Sequence, residues 1–468
     1  MRCFGSNTPQ PDKEPVEIFP SVRPCQSRYR KSISYVRKTL SPGQWGGSVP
    51  VKPLSFLLLQ GVSSPFFARL ADALRECGHK VHKVNFNAGD LVFWFPRSHR
   101  THFRGNLEQL PEFLKSIWQE FEITDQILFG DRRPVHRAAF DKAEQFGVRT
   151  HVFEEGYFRP FWVTLEREGV NGHSLLPRDP DWFRAAAGCL DAQPAEKPKR
   201  FHSAFRKRAA YDVLYHVAGL INSVLNPRYK IHAPITAPVE YAGYLSRFAR
   251  LPKWRTRDAE LINRLCKEAP KHPFFLLPLQ LNSDAQIHHH SRFDNMHQVI
   301  ESVLESFADN APSGARLLIK NHPLDMGLVN YPRHIRKLSK RLGLEGRVEY
   351  IETGNLEQAL GSAAGTVTVN STVGIVALEK ECPTLCLSDP IYNLPGLTDQ
   401  GDIDNFWQEP VKPDQNLFEA FRKVVIYATQ INGGFYCHNG ISLAVENAAN
   451  MLSTDQSPLQ YLLEACPP

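Results

Sequence analysis

The sequence predicts an α/β protein with two doubly wound units, and three observations carry that reading. Short apolar runs of strand length alternate with stretches of helical period. The alternation occurs twice, on either side of the basic, aromatic residues 196–257, and several apolar runs end directly in polar clusters. At 468 residues the chain exceeds one compact core and suits two domains with connecting material.

The elements follow in order. Residues 1–50 are rich in Pro, Ser, Gly and Arg without periodicity and carry no acid after Glu17, which reads as a flexible basic N-terminal arm. The first unit, residues 51–195, opens with the strand LSFLLLQ, the turn GVSSP and the amphipathic helix FFARLADALRECG ending at Gly78. Strands are then expected at 80–86, 125–130 and 148–153, with helices at 107–121 and 134–146. Residues 196–257 form a basic aromatic linker or insertion of helical character. The second unit, residues 258–435, has strand candidates at 274–280, 315–320, 347–351, 365–370 and 383–388, with helical runs near 294–309, 330–341, 355–361 and 372–380. Residues 436–468 read as a helical tail. Together these give a GT-B-like outline, two Rossmann-type domains facing across a cleft that holds the ligand. Nucleotide-sugar epimerases share that outline, so it assigns no function by itself.

Composition narrows the class. No window approaches the roughly 18 unbroken apolar residues of a membrane span, since Val213–Leu225 is interrupted by His216, Asn222 and Ser223. MRCFGSNTPQPDKEP lacks the apolar core of a secretory signal, so a cytoplasmic address is expected. Nine cysteines without a CxxC pair indicate neither a zinc site nor a disulfide framework. From Lys197 to Arg257 thirteen Lys/Arg face two acids, Asp212 and Glu240, with aromatic residues interleaved. Such a stripe suits an anionic surface, whether nucleic acid, lipid headgroups or an acidic glycan, and a solvated helical linker is the plainer alternative.

Four clusters carry the candidate chemistry. In RLLIKNHPLD, residues 316–325, an apolar strand ends in Lys320, His322 and Pro323, at the sheet edge where α/β proteins bind ligands. In NSTVGIVALEK, Asn370, Ser371 and Thr372 follow a strand and open a helix. Gly374 there would let a phosphate approach backbone N–H groups, although a plain helix cap has the same pattern. PLQLNSDAQIHHHSRFDN offers Gln280, Asn282, Asp284 and Gln286. Three consecutive rings, His288–His290, converge poorly on one ion, so no metal is expected and the loop reads as solvated or glycan-facing. Finally, the strand VRTHVF runs into Glu154 and Glu155, with Arg159 within reach. One acid would attack or deprotonate and the other tune it, and a surface Glu pair is the bland alternative. The following loop of more than twenty residues, with Trp162, Glu166, Asn171 and Arg178, is longer than a plain connection needs. No GxxxxGK[ST] and no GxGxxG after a strand is present.

The ordered set FLLLQG-SPFF, VNFNAGD, FEEGYFRPFWVTLE-GVNGHSLLPRD, PLQLNSD, KNHP and NSTVG resembles the capsule polysaccharide biosynthesis/export family, most closely its KpsS-like members, over residues 51 to about 400. The resemblance implies a retaining β-Kdo transferase. It would use CMP-Kdo to start an oligo-Kdo linker on a phosphatidylglycerol-type lipid at the inner face of the cytoplasmic membrane, as a peripheral protein beside other capsule synthesis and export proteins. It implies no cofactor and no nucleic-acid partner. The family's CMP-contacting His-Pro motif falls on His322-Pro323 and its Ser/Thr nucleotide motif on Ser371-Thr372. The catalytic acid of an acid-Asp-Gly motif falls on Glu155, where this chain has Glu-Glu-Gly. Two other classes stay open: a non-catalytic glycan- or lipid-binding component of the export machinery, which leaves Glu154 and Glu155 idle, and a nucleotide-sugar epimerase, which needs no lipid acceptor.

Overall fold

The apolar run that opens the repeat forms a strand, Ser55–Leu58 (β1), buried at every residue. Burial on both faces is what a central parallel strand covered by helices requires. The computed structural model describes residues 53–190, 197–203, 205–228, 237–282 and 291–468. The expected N-terminal arm lies outside these residues, as do Asp284, Gln286 and His288–His290. Beside β1 stand Lys80–Asn85 (β2), Arg100–His102 (β3), Asp125–Phe129 (β4) and Arg149–Glu155 (β5), these five strands all parallel to one another. The helices Phe66–Glu76, Leu110–Glu120 and Pro134–Lys142 connect them, their apolar stripes turned to the sheet.

The second unit repeats the plan. Phe274–Pro278 (β7), Arg316–Lys320 (β8), Val348–Ile351 (β9), Gly365–Thr368 (β10) and Thr384–Cys386 (β11) make an all-parallel sheet of order β11-β10-β7-β8-β9. Asn295, Asn330 and Asn355 start three of its helices, each side chain accepting from the backbone N–H three residues on. The two doubly wound α/β sheets are those the alternation predicts.

Three expectations need correction. The segment after Glu155 is not a long loop. Trp162–Arg167 (β6) turns back antiparallel to β5, and Asn171–His173 adds a 3₁₀ turn. All six residues of β6 are buried, so the polar/apolar alternation that marks a half-exposed strand is missing. β6 is covered on its other side by Gln430–Asn432 (β12), which completes a first sheet of order β12-β6-β5-β4-β1-β2-β3. The chain therefore leaves the second unit before residue 435. The helix Gln415–Thr429 carries it back, burying Phe418, Phe421 and Val425 in one cluster with Phe183, Leu378 and Tyr392. Gly433 makes the return possible: at φ +155° its α-carbon lies so near the helix His438–Leu452 that an added Cβ would sit 2.4 Å from the Ala444 nitrogen. That C-terminal helix packs Ile441, Ala444 and Leu452 against Phe66 and Leu70 of the first unit. The third correction is a disulfide, Cys189–Cys466, between residues 277 apart.

The basic aromatic segment is helical but not a detached linker. It forms Phe205–Gly219, a short turn at Asn222–Leu225 and a long helix Ala237–Glu268 that runs past the expected boundary at 257. Tyr215 accepts a hydrogen bond from Asn87 Nδ2 at 2.7 Å on the first unit, and Tyr244 donates to the Leu324 carbonyl at 3.1 Å on the second.

Candidate active site

Glu154 and Glu155 are the last residues of β5, opposite Thr164 and Val163 of β6. Successive strand residues point to opposite faces, so the two carboxylates meet different surroundings. Glu154 turns toward the end of β4, where Gly130 leaves room: a Cβ there would lie 3.3 Å from Glu154 Oε2. Its Oε1 accepts from the Glu155 N–H at 3.0 Å. Burial pushes the Glu154 carboxyl up to about 7, against the opposing pull of that N–H and of Arg133 and Arg159. Glu155 is the more open, with 29% of its side chain exposed, and its Oε1 lies 3.9 Å from Arg208 Nη1. Arg159 donates its Nε–H to the Gly156 carbonyl at 3.2 Å and is exposed, with its charge still acting on Glu154. The cation paired with Glu155 is Arg208, from the Phe205–Gly219 helix.

On the second unit Lys320 ends β8, paired in register with Pro278 and Ile351, and is buried. Burial, and then the Arg247 charge, lower its pKa. Asn321 Oδ1 accepts from the His322 N–H at 2.8 Å, and His322 Nδ1 accepts from the Leu324 N–H at 3.1 Å. With Nδ1 engaged as an acceptor, the ring proton must sit on Nε2. Burial, then the charges of Lys320, Arg159, Arg247 and Arg208, push the imidazole down to about 4. At neutral pH His322 is thus an uncharged Nε2–H donor among cations. Pro323 is exposed beside it. The charges acting on Glu154 and on His322 share Arg159, which brings the two strand ends into one electrostatic cluster.

Gln280 and Asn370 hold each other: Gln280 Nε2 donates to Asn370 Oδ1 at 2.9 Å, and the Asn370 N–H donates to Gln280 Oε1 at 3.3 Å. Ser371 Oγ accepts from the Val373 N–H at 3.2 Å, while Thr372 makes no side-chain cap on the helix Val373–Glu379. Gly374 lies in the first turn of that helix. It is buried, the Tyr392 ring packs on it, and an added Cβ would lie 2.3 Å from the Tyr392 hydroxyl, which donates to the Ser371 carbonyl. Thr372 and Asn370 line a narrow cavity with Tyr157, Asn171 and Tyr392, so residues of both units meet there. Arg178 bridges the units as well, donating to the Pro390 carbonyl at 2.6 Å. Glu166 is buried beneath, accepting from Tyr157 at 2.8 Å and from Ser174, and burial pushes it up to about 7. Trp162 is core. Among the described residues no group of three or more His, Cys, Asp or Glu is placed to hold a metal ion.

Arg247 escaped the sequence reading, and Arg208, which the basic stripe assigns with Arg206 and Lys207 to an anionic surface, turns toward Glu155 instead. Arg247, 4% exposed at its side chain, enters from the long helix and donates to the carbonyls of Asp325 (2.6 Å), His322 (3.3 Å) and Glu352 (3.2 Å). Its charge faces Asp325 at 3.6 Å and Glu352 at 3.4 Å. Arg208 stacks over the Tyr436 ring at 4.5 Å as it faces Glu155. Both lie in the basic aromatic segment, whose composition was the only signal. Its outward side keeps Arg206 and Lys207 exposed, with Val217, Leu220, Ile221 and Val224 also exposed. No helix among the described residues is long and apolar enough to cross a membrane.

A family model described as capsule polysaccharide biosynthesis protein matches residues 124–436. The chain is 38% identical to the capsule polysaccharide modification protein LipB of Neisseria meningitidis serogroup B over 82% of its own length and 91% of that protein. It is 33% identical to the capsule polysaccharide export protein KpsS of Escherichia coli, over 81% of this chain and 96% of that one. Among solved structures it is similar to Thermosulfurimonas dismutans KpsC, a beta Kdo 2,7 transferase, at 15% identity and a TM-score of 0.41, covering 85% of this chain and 99% of that one.

Proposed function

Because the chain belongs to the capsule polysaccharide biosynthesis family, we propose that it is a retaining β-Kdo glycosyltransferase that moves Kdo from CMP-Kdo to a phosphatidylglycerol-type lipid and so starts an oligo-Kdo linker. The observation that carries this reading is the joining of two unlike strand ends. Glu154 and Glu155 close β5 of one sheet, Lys320 closes β8 of the other with His322 two residues on, and the two units meet where Tyr157 and Asn171 line one cavity with Asn370 and Thr372.

Each residue then has a role. His322 donates Nε2–H to the CMP phosphate, Lys320 and Arg159 supply positive charge as that phosphate leaves, and Ser371 and Thr372 contact the nucleotide beside Asn370 and Gln280. Glu155, the more exposed carboxylate, attacks the anomeric carbon. The bond to the phosphate oxygen breaks, CMP leaves with that electron pair, and a glycosyl ester remains. The lipid hydroxyl then displaces Glu155, and Glu154, whose carboxyl titrates near 7, takes its proton. No cofactor enters this scheme. The exposed Arg206 and Lys207, with apolar residues on the same helical segment, support a peripheral seat on the cytoplasmic face of the inner membrane.

The test is incubation of the purified protein with CMP-Kdo and a phosphatidylglycerol acceptor, reading product mass. A lipid heavier by one or more Kdo residues is expected. Free sugar without lipid product would favour an epimerase or hydrolase, and an untouched donor would leave a binding component.

A further inference from the structure

We infer that Arg208 is the specificity residue for an acidic donor sugar, gripping the carboxylate that such a sugar carries on its reacting carbon. This rests on the transferase reading and adds a contact to it. A carboxylate nucleophile must come within about 3–3.5 Å of the carbon it attacks. When that carbon itself bears a carboxylate, the two anions are forced together, and a cation must stand between them. A neutral sugar makes no such demand.

Arg208 stands at that place. Its Nη1 is 3.9 Å from Glu155 Oε1, longer than the roughly 2.7–2.9 Å of a charge-assisted hydrogen bond, so Glu155 does not saturate it. Among the described residues the guanidinium makes no hydrogen bond, and 43% of the side chain is exposed. Its planar fork is thus free to bind a second carboxylate in two-point fashion. Tyr436 fixes the plane of the fork, lying 4.5 Å beneath it, and is itself close enough to feel the Glu155 charge. Arg159 is less suited to the task, because its Nε is tied to Gly156 and its charge acts on His322 ahead of that of Arg208. The two arginines divide the donor: Arg159 faces the phosphate and Arg208 the sugar acid. Arg208 is also the one member of the Arg206-Lys207-Arg208 triplet that is not fully exposed, turned into the site rather than out to a surface.

The test uses the full chain with Arg208→Met and Arg208→Lys, and compares CMP, CMP-Kdo and the carboxamide of CMP-Kdo. For Arg208→Met, CMP affinity by calorimetry should stay within about twofold, while kcat/KM for CMP-Kdo falls about 100-fold or more and Arg208→Lys recovers part of it. The carboxamide donor should be poor with the parent and lose nothing further with Arg208→Met. Equal loss toward CMP and CMP-Kdo would make Arg208 a phosphate or structural residue and overturn the inference, as would unchanged use of CMP-Kdo by Arg208→Met. A parent that ignores CMP-Kdo overturns the transferase reading and this inference together; the other outcomes touch the inference alone.

Discussion

Arg247 and His322 lie 75 residues apart in the chain, yet an Arg247 guanidinium nitrogen donates to the His322 carbonyl at 3.3 Å. With the 2.6 Å bond to the Asp325 carbonyl, this clamps the loop that presents the imidazole.

Arg247→Met should therefore destabilise the protein, because it leaves Asp325 and Glu352 with an uncompensated buried charge. The expected cost is about 3–5 kcal/mol, read by urea denaturation. CMP affinity measured below the transition should also fall, since the His322 loop loses its clamp. Unchanged stability would mean that solvent replaces the guanidinium.

His322→Ala and the double change Ser371→Ala/Thr372→Ala should each weaken CMP binding, by about 1.5–3 kcal/mol per lost bond to the charged ligand, with calorimetry as the check. The imidazole itself should titrate near 4. Its folded pKa lies below its ordinary value near 6.5, so the unfolded chain binds the extra proton first as pH falls. This residue's contribution to stability is whole above about 6.5 and declines as pH drops toward 4. Histidine ring shifts in NMR, compared with those of His322→Gln, would locate that titration.

Glu155→Gln should lower transfer by about a thousandfold or more while CMP affinity holds, because the amide keeps the shape and loses the nucleophile. Glu154→Gln should be milder and should remove the limb near pH 7 from the kcat profile. A raised carboxyl favours the folded state when protonated, so its contribution is present at about pH 4.5 and lost as pH rises through 7. Glu154→Gln should accordingly gain stability relative to the parent between pH 5 and 8. If only Glu154→Gln abolishes transfer, the two roles exchange.

Arg206→Glu with Lys207→Glu, sparing Arg208, should release the protein from anionic vesicles, each residue contributing about 1 kcal/mol near such a surface. Co-sedimentation at low and high salt is the measurement. Use of a water-soluble acceptor should persist. Binding that ignores both the reversal and salt would assign the segment a purely internal role.

Much of this was legible because its causes are local. LSFLLLQ and RLLIK are apolar enough to be buried on both faces, and the helices between strands carry their stripe at a period that only one sheet face can satisfy. Glu154-Glu155 and Lys320–Pro323 follow such strands directly, so their place at a sheet edge came with the strand. The rest depends on residues far apart in the chain. β6 pairs with β5 on one side but is buried throughout because β12 arrives from residue 430 on the other, and Tyr392, 18 residues on, packs against Gly374. Cys189 meets Cys466 across 277 residues. Arg208 and Arg247 sit in a stretch whose composition reads as a uniform basic surface. Only packing of its two helices decides that these two side chains turn inward, to Glu155 and to the His322 loop, while Arg206 and Lys207 turn out. Strand and helix periods are properties of neighbouring residues, whereas the partner of a charge depends on which elements pack together, and no local pattern encodes that.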